Sequence, residues 1–260
     1  MTPSYSPELL SLFDPRYLEF QSCDIERFEK ARHAVDWTQP IAAVEIGSNR
    51  GEFLEGLARA YPDQLVVGFE WRAKYCELAR ERLQRRGIQN AVLLQGDAKI
   101  GFPLCIPLKS VGEVHVTFPD PWWRAKHENR RVLEPLFMRV IARRLVDGGR
   151  LYLKSDVFDY LYRVRTFGEV SGAFRPLPSH AWPTELSWSL TTRETKCRNG
   201  AIPYGRMYLQ KHPSFDPTLP LVPERPDQFS VDEEVDPLSL IRGAPLVDRQ
   251  QRSEHGRRRK

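Results

Sequence analysis

Five short apolar runs, each closing on or just before an acidic residue or a turn, limit this chain to few folds. They are IAAVEIG from Ile41, LVVGFE from Leu65, AVLLQGDA from Ala91, GEVHVTF from Gly112 and RLYLKSD from Arg150. Continuous apolar stretches of this length read as strands buried on both faces. Between them the period changes. Phe53, Leu57 and Tyr61 share one helical face, and Tyr75, Leu78, Ala79 and Leu83 share another that Gly87 can cap. Leu133, Leu136, Phe137, Val140, Ile141 and Leu145 form a third face, with Pro135 in its first turn and Gly148–Gly149 as its stop. A further helix is expected near Val157–Val170. Alternation of strand and helix with short connections predicts an α/β fold, a doubly wound and mostly parallel sheet with helices on both faces. LSWSLTT (186–192) and YGRMYLQK (204–211) alternate in polarity and are expected to pair antiparallel at one edge, bringing the sheet to seven strands.

The 260 residues suit one globular domain with extensions. Residues 1–39 read as a proline-punctuated N-terminal arm with a helix around Ile25–Val35, 40–212 as the domain of alternating strands and helices, and 213–260 as a Pro-rich, charged and disordered tail. Its closing RRRK could be a localisation patch or a solvated, nucleic-acid-attracting end. A net charge of +5 and a pI near 9.1 favour an anionic partner, although solubility alone explains such a charge equally well. Cys23, Cys76, Cys105 and Cys197 form no CxxC pair, which argues against zinc or a disulfide framework and for a reducing cytoplasm. The histidines show no ligand spacing, so no metal is expected. No export signal or membrane-length apolar stretch is present, and no membrane partner is expected.

Ligands in doubly wound sheets sit at the carboxyl ends of the strands. There the chain places Glu45, Glu70, Asp97, Asp120 and Asp156, one acid for each of five successive strands. A single acid in such a place is common; five in a row are hard to assign to chance. The loop after the first strand, EIGSNRGEF, holds Gly47 but puts Asn49 where a dinucleotide loop needs its second glycine, and Gly51 comes one residue early. A pyrophosphate, and with it a dinucleotide oxidoreductase, is disfavoured. Asn49 can still adopt a left-handed turn. S-adenosyl-L-methionine carries no phosphate, and its ammonium, ribose diol and adenine amino group all seek acceptors. Glu45, Glu70 and Asp97 come in a suitable order to supply them.

The stretch VTFPDPWWRAKHENRR, residues 116–131, is more specific. Pro119 and Pro121 cannot donate ladder hydrogen bonds, so the fourth strand stops and Asp120 is clamped between them. Trp122 and Trp123 could stack on a base or serve as core. Arg124, Lys126, Arg130 and Arg131 could neutralise phosphates or form a solvated face. With EIGSNRGEF, GFE, GDA, KSD and TKCRNGAIPYGRMYL, spanning roughly 41–211, this motif resembles the bacterial tRNA (guanine-N7-)-methyltransferase family.

The resemblance implies a Rossmann-like methyltransferase fold and a cytoplasmic enzyme that modifies tRNA with S-adenosyl-L-methionine. The methylated atom would be N7 of the variable-loop guanosine, position 46 in tRNA numbering. Glu45, Gly47, Glu70, Asp97 and Asp120 would hold the cofactor. Asp120 would sit beside the transferable methyl as the catalytic residue. Arg124, Asp156, Thr195, Lys196 and Arg198 would meet the substrate. The chain departs from the family pattern at Asn49 (for glycine), Arg124 (for lysine), Ser155 (for threonine), Cys197 (for an aromatic) and Arg198 (for glutamate), the last reversing a charge. Asp156 could instead cap the next helix, and Lys196 could be a solvated charge. Two other functions stay open: a methyltransferase acting on other nucleic-acid or amino groups, and an RNA-binding module that has lost catalysis. Whether the protein is a monomer or a homodimer is not legible.

Overall fold

The computed structural model describes residues 5–13, 15–121, 131–182 and 190–218. Three helices come first: α1 (Pro7–Leu12), α2 (Pro15–Phe20) and α3 (Ser22–Ala34). Ser6 caps α1 by accepting from the Leu9 amide, and a proline opens each of the first two helices where its missing N–H does no harm. The alternating body follows as β1 (Ile41–Ile46), α4 (Glu52–Ala60), β2 (Leu65–Glu70), α5 (Ala73–Arg85), β3 (Ala91–Gln95), α6 (Ala98–Cys105) and β4 (Val111–Thr117). After residue 131 come α7 (Pro135–Arg144), β5 (Leu145–Ser155), α8 (Phe158–Val170), β6 (Phe174–Pro176), a single 3₁₀ turn (Ser179–Ala181), α9 (Thr192–Asn199) and β7 (Gly205–Lys211).

The seven strands lie in the order β3-β2-β1-β4-β5-β7-β6, parallel from β3 to β5, with β7 antiparallel to both β5 and β6. The predicted class therefore stands, and the order reverses between β1 and β4, the crevice where doubly wound sheets take their ligands. The edge pair is composed differently from expectation. Tyr208 and its neighbours pair with β5 and with Phe174–Pro176, while Thr191 caps α9 and Thr192 begins it. Alternation in LSWSLTT signalled a strand, but a Thr cap three residues before Glu194 starts a helix there. Residues 186–189 of that stretch lie outside the described residues. Helix α6 carries no strong period and contains Pro103, so nothing in its sequence announced it. Helix α7 stops at Arg144, before the glycines, because Leu145 already belongs to β5.

Burial follows the strand pattern. All six residues of β1 and all six of β2 are buried. A run of rings links the layers: Phe28 to Phe69 at 6.0 Å, Phe69 to Phe102 at 6.0 Å and Phe102 to Phe137 at 5.9 Å between centroids. Leu9, Leu18, Ile25 and Phe28 of the first three helices join this same core. Glu8 of α1 pairs with Arg143 and Arg144 at the end of α7, giving the two terminal nitrogens of the buried Arg144 guanidinium an acceptor. Burying a Phe or Leu side chain contributes about 1.5–3 kcal/mol. The N-terminal helices thus hold α6, and with it the floor of the β3 strand end, in place.

Candidate active site

The carboxyl ends of β1, β2 and β3 meet in a tight set of loops. Gly47 and Ser48 donate their backbone N–H groups to Phe69 O at 2.8 and 2.9 Å, latching the loop after β1 onto β2. Gly47 (φ 88°), Asn49 (φ 48°) and Gly51 (φ 76°) all lie in the left-handed region, and Asn tolerates it better than most side chains. A Cβ on Gly51 would meet Ala79 Cβ at 3.0 Å, so glycine there lets α4 approach α5. At Gly47 a Cβ would find nothing within 4 Å: the loop faces open space.

Glu70, the last residue of β2, spends its carboxylate on the chain itself. Oε2 accepts from the Asn49 amide and Oε1 from the Arg72 amide, both at 2.9 Å, and Arg72 Nε lies 3.4 Å from Oε1. It is the strut that sets the two loops at a fixed separation. Glu45 is different: it is 1% exposed, and its Oε2 has no hydrogen-bond partner among the described residues. Burial raises its carboxyl to about 8, and the nearby Glu52 and Glu70 charges add to the rise. Ser48 Oγ is also buried and unpartnered. A buried acid and hydroxyl with unused lone pairs beside an open glycine fit a ligand that brings donors or positive charge. Asp97 caps α6 by accepting from the Lys99 amide at 2.8 Å, and burial raises its pKa against the pull of Lys99.

Past the switch point, β4 ends in a strained corner. Phe118 has φ 51°, unusual for a bulky residue and more so before a proline. Its amide donates to Lys154 O at 2.7 Å, and its ring packs on Tyr204 at 5.8 Å. Asp120 emerges from this corner exposed to solvent. Behind it lies a buried ion pair, Lys154 Nζ to Glu194 Oε2 at 2.8 Å, with side chains 3% and 0% exposed. The other oxygen of Glu194 accepts from Tyr204 Oη and from Arg198, each at 3.0 Å. Arg198 is therefore committed within its own helix and to Tyr204, whose hydroxyl lies 3.2 Å from Arg198 Nε.

Asp156, just after β5, pairs with Arg193 of α9 and does not cap α8, whose N-cap Val157 makes no side-chain cap bond. Thr195 and Lys196 are exposed on α9, while Cys197 points into the interior. Arg131 is buried, which removes it from a surface that could meet phosphates. Arg124, with Trp122, Trp123, Lys126 and Arg130, lies outside the described residues. The structure adds Phe118, Lys154, Glu194 and Tyr204 to the site. The one signal that pointed to them was a lysine inside an apolar strand, LYLKS, since a buried ammonium demands a partner.

The sequence family described as "Putative methyltransferase" matches residues 39–206, from two residues before β1 into the start of β7. The tRNA (guanine-N(7)-)-methyltransferase of Myxococcus xanthus is 31% identical over 169 residues, covering 65% of this chain and 82% of the relative. The chain belongs to the tRNA (guanine-N(7)-)-methyltransferase family. The family member from Thermosynechococcus vestitus is likewise 31% identical, over 66% of this chain and 83% of its own. Among solved structures, a SAM-dependent methyltransferase from Aquifex aeolicus aligns with 80% of this chain and 99% of its own at 14% identity and a TM-score of 0.46. The 16S rRNA methyltransferase KamB aligns with 72% and 93% at 17% identity and a TM-score of 0.46.

Proposed function

We propose that this member of the family transfers a methyl group from S-adenosyl-L-methionine to N7 of a guanosine in tRNA, the variable-loop guanosine at position 46 in tRNA numbering. The observation that carries the reading is Asp120: an exposed carboxylate in a Pro-flanked corner at the end of β4, across the switch point from the β1 acid Glu45, whose Oε2 is unpartnered among the described residues. When bound, the cofactor supplies a methyl group made electrophilic by its sulfonium. Glu45 and Ser48 offer the unused acceptors for its charged end. Glu70 sets the loop spacing and keeps lone pairs for the ribose, and Gly47 leaves room for close approach. Asp97, at the head of α6, takes the adenine side.

Guanine N7 already carries an in-plane lone pair, so no base must remove a proton before attack. The residues have instead to hold the purine in line and to stabilise the positive charge that develops on it. Asp120 does both by accepting from the N1–H and N2–H edge. Phe118, pinned by Lys154 and Tyr204, aims it. Thr195 and Lys196, exposed on α9, and Arg124 supply further contacts to the RNA, while Asp156 and Arg198 brace α9.

The test is single-turnover methylation of unmodified tRNA by Asp120→Asn and Asp120→Ala, with folding checked by thermal melts. Loss of a preorganised electrostatic group is expected to slow methyl transfer about 10²–10³-fold in both. Near-native rates in both folded variants would reduce the corner to architecture.

A further inference from the structure

Helix α3 precedes the residues that the family match covers, yet it grips the end of β3, the strand end to which the adenine is assigned. Phe28 is fully buried and fills the space that side chains at Gly96 and Gly101 would need. A Cβ on either glycine would come within 2.6 or 2.4 Å of the Phe28 ring, respectively. Cys105 Sγ donates to the Phe28 carbonyl at 3.3 Å, which ties α3 to α6. Asp24 stands one turn earlier on the same face of α3. Its Oδ2 lies 3.1 Å from where a Cβ on Gly96 would be. Its Oδ1 accepts from Arg27 Nη1, which also donates to the carbonyl of Gln95, the last residue of β3, at 3.4 Å. The Asp24 side chain keeps 22% of its surface exposed, so a ligand can reach it. Asp24 thus sits beside the Gly96–Asp97 turn. Burial raises the Asp97 pKa, and the Asp24 charge adds to that rise.

We infer that α3 closes the adenine end of the cofactor site, with Asp24 as a second acceptor, beside Asp97, for the exocyclic amino group of the purine. This inference rests on the proposed role of Asp97 and adds to it a residue from the N-terminal arm. An amino group carries two N–H donors, one for each carboxylate. Placed between the two acids, it also relieves their mutual repulsion. A six-oxo purine would instead turn lone pairs toward both carboxylates. The pair therefore selects adenine by repulsion of the wrong base as well as by attraction of the right one. Phe28 is the positioning residue: it holds the Gly96–Asp97 turn against α3, so that the two acids keep a fixed separation.

Calorimetry on the full-length protein with S-adenosyl-L-homocysteine and its deaminated form, S-inosyl-L-homocysteine, separates contact with the purine from docking of α3. Wild type, Asp24→Ala, Asp24→Asn and Arg27→Ala are compared, with folding checked by thermal melts. Asp24→Ala is expected to weaken binding of the adenosyl ligand about 10- to 100-fold, the loss of one hydrogen bond to a charged acceptor. The inosyl ligand should lose far less, so the preference between the two shrinks. Asp24→Asn keeps one acceptor and should restore part of the preference. Arg27→Ala breaks the ion pair but leaves the Asp24 carboxylate, and should keep the preference. Unchanged affinity in Asp24→Ala overturns the inference. So does an equal loss for both ligands, or the same shrinkage in Arg27→Ala, since either would make Asp24 only a docking contact of α3. A wild type that binds neither ligand would refute the cofactor reading itself, and the inference with it.

Discussion

At the residue scale, the site is organised by two carboxylates in unlike surroundings. Glu70 is held by backbone amides, whereas Glu45 is buried beside other acids with one oxygen unused. The Glu45 carboxyl moves from 4.5 to about 8 on folding, and the sign of the linkage follows. Below pH 4.5 the proton is bound in both the folded and the unfolded chain. Between 4.5 and 8 the unfolded chain releases it while the folded chain keeps it, so stability falls as pH rises, then levels off. The slope is up to about 1.4 kcal/mol per pH unit. Urea unfolding of the ligand-free protein from pH 5 upward should show it, and Glu45→Gln should flatten it. A cationic ligand at Glu45 favours the carboxylate, so cofactor affinity should rise with pH over the same window. A Glu45→Gln profile parallel to wild type would place the titration elsewhere.

At the element scale, α9 is the piece that assembles the substrate side. It is short and highly polar, and little besides Cys197 and the aliphatic part of Glu194 faces the interior. Its docking therefore depends on the Lys154–Glu194 pair, supported by Tyr204 and by Arg193–Asp156. A buried pair is weak evidence of net stability, but removing one partner is costly because the other charge stays out of water. Glu194→Ala should lose about 3–5 kcal/mol of unfolding free energy, with Glu194→Gln losing less because it keeps the shape and one acceptor. Chemical denaturation gives the values. A loss below about 1 kcal/mol would mean that α9 is held by other contacts. The same element takes Thr191 and Thr192 out of the expected edge strand, whose residues 186–189 lie outside the described residues. Alternation between Leu186 and Thr192 satisfies a strand template, but the Thr191 cap and a compensated Glu194 win once β5 is there to receive them.

At the scale of the whole molecule, the cofactor should couple the halves of the sheet on either side of the switch point. A ligand that binds only the folded state stabilises it by mass action, about 2.7 kcal/mol at a hundredfold excess over Kd. For a chain of this length that is a rise in Tm of roughly 5–11 °C. Differential scanning fluorimetry with S-adenosyl-L-methionine should show it, and NAD should leave Tm unchanged because Asn49 and the early Gly51 deny the loop a pyrophosphate. A larger shift with NAD would overturn the cofactor assignment.

The fold class and the acids at the strand ends were legible in the residues themselves. A doubly buried strand has to be apolar throughout, and its sharp stop has to be polar or proline. The runs from Ile41 to Asp156 and the Pro119–Asp120–Pro121 corner record those local demands directly. What depends on partners distant in the chain was not legible. Lys154 reads as a stray charge until Glu194, forty residues on, arrives beside it. Arg131 belongs to an evidently basic run, yet it is buried. Phe118 takes a left-handed turn because Lys154 and Tyr204 hold it there, against its own preference. Local backbone chemistry is written in neighbouring residues; the compensation of buried charge and strain is written only in the packing of residues far apart in the chain.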